Sequence, residues 1–324
     1  MQVLIVEPLD SDVLQWLGAR YRVQVAPELA QHPDAFRQAL GSVSALVIPP
    51  WVTLDANTLH HAPRLRIVGR LSVGAENIDL DACARAGVEV VRPASASAPA
   101  EAEFAVGALL QLLRRVPILN GEGLLVGREL GGATVGLVGM TPAFKPLAAL
   151  LTAFGARVLG YDPGVHATDG IWARAGVAPM GLRELMQASD AVCVLLAYFP
   201  RFAGLFGERL LPLAKPNQVL VSLGQSNLFD EAALARALSE GPLAAAWFDS
   251  LEPGALDPGR PLRHVDTLQV TPRVASTTHE SRVRAAWAVA RRVDELLQDV
   301  MARADFRSTQ PGGLAGLADG PRPA

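Results

Sequence analysis

The chain has little cysteine, no run of a single charge and no long apolar stretch, and each shortage removes a class of protein. Only two cysteines, Cys83 and Cys193, occur in 324 residues. They lie far apart, outside any CxxC pair and without a histidine cluster, so neither a disulfide framework nor a structural metal site is expected. Lys and Arg number 29 against 32 Asp and Glu, a formal net charge of −3. Nucleic acid is not an expected partner, because phosphate binding needs clustered basic residues. Arg282, Arg284, Arg291 and Arg292 do cluster, but at helical spacing, which reads as a solvated helix face. No apolar run approaches the length of a membrane span. The opening MQVLIVEPLDSD has no basic n-region and no long apolar h-region, so it reads as a first strand rather than a signal peptide. A soluble, cytoplasmic protein is the expectation.

What the chain does have is apolar material: 50% of residues are hydrophobic and 19% charged, ample for the cores of two domains. Short β-branched runs alternate with helical ones from the start. QVLIVEP is followed by DSDVLQWLGARY, with Asp10 or Ser11 as its cap, and RVQVAP, ALVIPP and LRIVGR continue as buried strands. PASASAPAEAEFAVGALLQLLRR begins as a small-residue loop and becomes a long amphipathic helix near Glu101. A second series follows: TVGLVG, VLGYDP, AVCVLL, NQVLVSLG, AAAWFDS and LQVTP. This rhythm predicts an α/β fold of two doubly wound, Rossmann-like parallel sheets with a cleft between them. The expected division is 1–100 with 284–306, then 101–283. Residues 307–324, rich in Gly, Pro and Ala, are expected to form a disordered tail.

VGLVGMTPAFKPLAALLTAFGARVLGYDP reads as strand, turn, helix and strand, the way a dinucleotide-binding unit opens. Gly139 occupies the first glycine of the GxGxxG turn. Thr141 stands at the second, where bare backbone would meet a pyrophosphate, and Phe144 at the third, where helix packs on strand. Pro142 removes an amide donor. Asp162 follows the second strand, placed to take ribose hydroxyls.

With these segments the chain resembles the NAD-dependent D-isomer-specific 2-hydroxyacid dehydrogenases, roughly as far as Arg303. LRIVGRLSVGAENIDLDACARAGVEV is similar to the segment whose amides hold the substrate carboxylate. AEFAVGALLQLLRR, VLGYDP, AVCVLL, KPNQVLVSLGQSNLFDEAALARAL and LQVTPRVASTTHESRVRAA match further segments in order. The resemblance implies two domains around a cleft, a homodimer formed through the cofactor domain, NAD(H) as cofactor, and an Arg, Glu and His that carry out the chemistry.

Carried over position by position, those three fall on other residues. VLVSLGQSNLFDEAAL places Gln225 at the Arg, FDSLEPGALDP places Gly254 at the Glu, and TPRVASTT places Arg273 at the His. Gln carries no charge, and Arg stays protonated at any physiological pH, so neither does the work of the original. Glu252 and His279 stand nearby, as a loop carboxylate and a cap or surface residue. Phe199 replaces a small polar residue and adds apolar bulk.

Arg70, Ser72, Val73, Gly74, Tyr198, Gln225 and Arg273 are the ligand-binding candidates, able together to hold a small anion. Alternatively, Arg273 pairs with Asp249 or Glu252 and closes the cleft. Two functions follow. One is a redox-inactive, repurposed member of the family that binds a small carboxylate-type anion and for which no cofactor is expected. The other is an NAD(H)-dependent 2-hydroxyacid or 2-oxoacid oxidoreductase with a rearranged site.

Overall fold

The computed structural model describes residues 1–72, 74–93, 95–115, 118–119 and 121–308. Contacts divide the chain into two units, Met1–Pro93 with the C-terminal segment from Val283, and Ala94–Arg282. The first boundary falls before residue 100 because the helix that follows packs with the second unit.

The first unit contains β1 (Gln2–Ile5), α1 (Ser11–Gly18), β2 (Arg22–Val25), α2 (Pro33–Ala39), β3 (Val43–Val47), α3 (Ala56–His60), β4 (Ile67–Gly69), α4 (Leu80–Arg85) and β5 (Glu89–Val91). Its five strands are all parallel, in the order β2-β1-β3-β4-β5. β1 and β3 are almost wholly buried, as parallel strands covered on both faces must be. β2 corrects the expectation of a buried strand. It lies at the sheet edge with a single neighbour, and Val25 is 48% exposed.

The second unit opens with α5 (Ala98–Arg115), then β6 (Ile118–Leu119) and β7 (Leu125–Val126), a small antiparallel pair. β8 (Thr134–Val138), α6 (Phe144–Ala153), β9 (Arg157–Tyr161), α7 (Gly170–Ala175), β10 (Ala178–Pro179), α8 (Leu182–Ala188) and β11 (Ala191–Val194) follow. β12 (Gln218–Ser222), α9 (Glu231–Ser239), β13 (Leu243–Phe248) and β14 (Leu268–Val270) complete a seven-stranded parallel sheet, ordered β10-β9-β8-β11-β12-β13-β14. Neither β10 nor the β6–β7 pair is legible in the sequence pattern, because two residues are too few to show a period. α10 (His279–Ser308) crosses from the second unit into the first. Of the expected tail, residues 309–324 lie outside the described residues.

Alternation along each central strand sends side chains to two faces. Val135, Leu137, Ala191, Cys193, Val219 and Val221 meet α5 and α6 on one face. Val138, Val192, Val194, Leu220 and Phe248 meet α8 and α9 on the other. Both cysteines are free and buried, and burial pushes the Cys193 thiol up to about 12, which leaves it an inert apolar filler. No described helix is long and apolar enough to cross a membrane.

Candidate functional site

Three successive strands of the second unit end side by side, and the loops after them enclose a cavity of about 210 Å³. After β12 come Leu223, Gly224 and Gln225; after β13, Asp249 and Ser250; after β14, Arg273, Ala275 and Ser276. Glu101, in the first turn of α5, completes the wall. Open α/β sheets bind ligands at this carboxyl end of their strands.

Asp249 organises the cavity. Its carboxylate, buried with the residue at 7% exposure, accepts from the Thr271 hydroxyl at 2.8 Å, the Val274 amide at 2.9 Å and the Ala275 amide at 3.0 Å. Its backbone carbonyl accepts from the Arg273 amide at 2.6 Å. With both sides of that loop tied to one residue, Arg273 is held at φ 57°, a left-handed conformation that residues other than glycine rarely adopt. Its guanidinium has no hydrogen-bond or ion-pair partner among the described residues. Asp249 therefore holds the loop rather than the Arg273 side chain.

Gln225, also exposed, lines the same cavity just before a short 3-10 turn. Glu101 is half-buried, and its Oε1 accepts from the Ser97 hydroxyl at 2.8 Å. Burial pushes its carboxyl above the ordinary value. The nearby Asp249 charge adds to that shift, and the Ser97 hydrogen bond opposes it. In the sequence Glu101 serves only to mark the helix. The available signal is a charged residue four places after Ser97, within a run of small residues about to become a buried helix.

The other expected positions lie elsewhere. Gly254 sits in an exposed turn at φ 80°, where its carbonyl accepts from the Asp257 amide and where glycine alone is unstrained. The Glu252 amide donates to the Ser226 hydroxyl, and its side chain lines a separate small cavity beside Arg260. His279 is the exposed first residue of α10, behind reciprocal hydrogen bonds between Thr278 and Ser281. Tyr198 is packed partly into the core. Phe199 is 50% exposed, edge-on to Phe202, with the Arg201 guanidinium 5.2 Å from its ring centre.

At the turn after β8, Gly139 adopts φ 109°, and a Cβ there would strike the Leu196 backbone after β11, so the tight turn requires glycine. This is the topological switch point of the sheet, where β8 and β11 are neighbours whose chains run off in opposite directions. The Met140 amide donates to Asp162 Oδ2 at 2.6 Å and the Gly164 amide to Oδ1 at 2.7 Å. Both oxygens of the expected ribose acceptor thus bind backbone amides. Thr141 Oγ1 is buried with no partner. Phe144 opens α6 fully buried, its ring edge-on to Trp172 at 5.7 Å, so it faces the core. A groove of about 480 Å³ runs beside Asp162, Gly164, His166 and Met180.

In the first unit, Arg70 is 1% exposed. Its guanidinium donates to Asn77 Oδ1 and, at 2.7 Å, to Ser72 Oγ, so it braces its own loop. Burial lowers its pKa, and Glu7 and Glu76 counter that. Ser72 is exposed, Gly74 half-buried, and Val73 lies outside the described residues.

Two α/β units of parallel strands, one carrying a glycine turn at its switch point, define a class of doubly wound proteins. Comparison narrows it. Residues 109–275 match the family model described as D-isomer specific 2-hydroxyacid dehydrogenase, NAD binding domain. The (S)-sulfolactate dehydrogenase of Chromohalobacter salexigens is 32% identical over 88% of this chain and 94% of its own length. The D-3-phosphoglycerate dehydrogenase of Mycobacterium bovis is 32% identical over 90% of this chain, which spans only 56% of that relative. The crystal structure of the TT0316 protein from Thermus thermophilus superposes with a TM-score of 0.73 at 26% identity, covering 92% of this chain and 97% of that one. The chain belongs to the D-isomer specific 2-hydroxyacid dehydrogenase family.

Proposed function

We propose that this protein is a redox-inactive member of its family that binds a small carboxylate-type anion in the second-unit cavity. One observation carries the reading. Arg273 is held in a strained backbone conformation, its guanidinium unpaired among the described residues, on a wall shared with Gln225. Backbone strain that a surrounding network maintains concentrates at functional sites. A guanidinium matches a carboxylate with two parallel donors, and a Gln amide adds a third. Arg at this position cannot cycle a proton near neutral pH, so the set suits binding better than hydride chemistry.

The glycine turn supports the same reading. A dinucleotide needs free amides and open backbone at that turn. Here Pro142 offers no N–H, the Met140 amide and both Asp162 oxygens are engaged, and Thr141 adds a side chain. These residues do not fit a pyrophosphate in the pose a GxGxxG turn gives it.

A second reading, an NAD(H)-dependent oxidoreductase with a rearranged site, is favoured by the dehydrogenase names of the relatives and by the open groove beside Asp162. Calorimetric titration with oxalate and with NADH separates the two. Oxalate binding without NADH binding at millimolar cofactor supports the first. Micromolar NADH binding overturns it. We also propose a homodimer formed through the second unit, for which light scattering at twice the chain mass is the check.

A further inference from the structure

The cavity holds two carboxyl groups and one guanidinium, so the charges around an incoming anion need accounting. Asp249 and Arg273 are the charged groups that face Glu101 across it, and Gln225, Ser250 and Ser276 are uncharged. Asp249 has three protein donors on its carboxylate: the Thr271 hydroxyl and the Val274 and Ala275 amides. Glu101 has one, the Ser97 hydroxyl on Oε1, and its Oε2 has no partner among the described residues. The half-buried Glu101 carboxyl thus has a single protein donor and faces the Asp249 carboxylate across the cavity. A second anion entering the cavity would meet it as a like charge, whereas the protonated acid would offer that ligand a donor.

We propose that Glu101 is the proton-carrying member of this cavity. It enters the complex as a neutral carboxylic acid whose O–H donates to one oxygen of the ligand carboxylate while Arg273 pairs with the anion, and the proton comes from solvent. This rests on the anion-binding reading above and adds to it a regulator, the proton. Burial beside Asp249 already moves Glu101 in the required direction before any ligand arrives. The chemical class follows: a small carboxylate of few atoms, matched to a cavity of about 210 Å³, bound more tightly as pH falls.

The test is calorimetry of oxalate binding to the full chain from about pH 5 to about pH 8, repeated in two buffers of different ionisation enthalpy. Uptake of one proton predicts that affinity falls by about tenfold per pH unit above the titration of Glu101, with a matching buffer-dependent heat. Glu101→Gln keeps the shape, the Ser97 contact and a donor, so it should bind oxalate with a flat pH profile and no proton uptake. If the wild type binds oxalate with no proton uptake, or Glu101→Gln retains the wild-type slope, the Glu101 proposal fails while anion binding stands. If neither protein binds oxalate at any pH, both proposals fall.

Discussion

The backbone amide of Arg273 donates to the carbonyl oxygen of Asp249 at 2.6 Å, and the Asp249 carboxylate holds the next two amides of the same loop. One buried residue thus fixes the backbone of a strained arginine while leaving its side chain unpaired among the described residues. Stability and binding should separate here. Arg273→Gly removes the left-handed strain and should stabilise the protein by ~1 kcal/mol, whereas Arg273→Ala keeps the strain and should be near neutral. Both should lose oxalate affinity. Urea midpoints and calorimetry on the two variants check this, and unchanged affinity in both would remove Arg273 from the site.

Asp249→Ala should act on both properties together. It strips the acceptor from the buried Ala275 amide and from the part-buried Thr271 hydroxyl and Val274 amide, and an unsatisfied buried donor costs ~1–3 kcal/mol. Destabilisation of ~1–3 kcal/mol is expected in urea unfolding on the same grounds, with loss of oxalate binding as the Arg273 loop relaxes. Were Asp249 only an ion-pair partner of Arg273, Asp249→Ala would be rescued by a second change at Arg273; no such rescue is expected.

Much of this is legible in the chain. Val135, Leu137, Ala191, Cys193, Val219 and Val221 announce buried parallel strands by composition alone, because such strands are covered on both faces. Gly139 marks the turn for the same reason that no other residue fits it. What sequence does not show is direction. Phe144 stands at the third-glycine position without revealing where its ring goes, and the ring turns into the core against Trp172. Arg70 reads as a ligand-binding candidate, yet Asn77 and Ser72 occupy its guanidinium. Glu101 escapes notice because its neighbours in the cavity, Asp249 and Arg273, are distant in sequence and meet it only through the ends of β13 and β14.

The direction of Phe144 changes which substitution tests the turn. Phe144→Gly would open a void in the core, with an expected loss of ~3–5 kcal/mol, and any gain in dinucleotide affinity would be masked by unfolding. Thr141→Gly removes only a partly buried side chain whose hydroxyl is unpaired. It should leave the urea midpoint nearly unchanged. If the second-glycine position is what blocks a pyrophosphate, Thr141→Gly should also create weak, calorimetrically detectable NADH binding. Continued absence of binding would place the block at Pro142 and at the Asp162 contacts instead.

Glu101 makes a prediction about folding that needs no ligand. Its folded-state pKa lies above the ordinary value of 4.5, chiefly through burial. The folded protein therefore binds more protons than the unfolded chain between those two values, and stability contributed by the neutral acid is fully present below the ordinary value. It is lost as pH rises through the raised folded value. Glu101→Gln has no such titration. Its urea midpoint relative to wild type should rise with pH across that window, then level off once Glu101 is ionised in both states. A relative midpoint that falls with pH would mean that Glu101 is stabilised as an anion, with Arg273 as the partner that its unpaired guanidinium makes available.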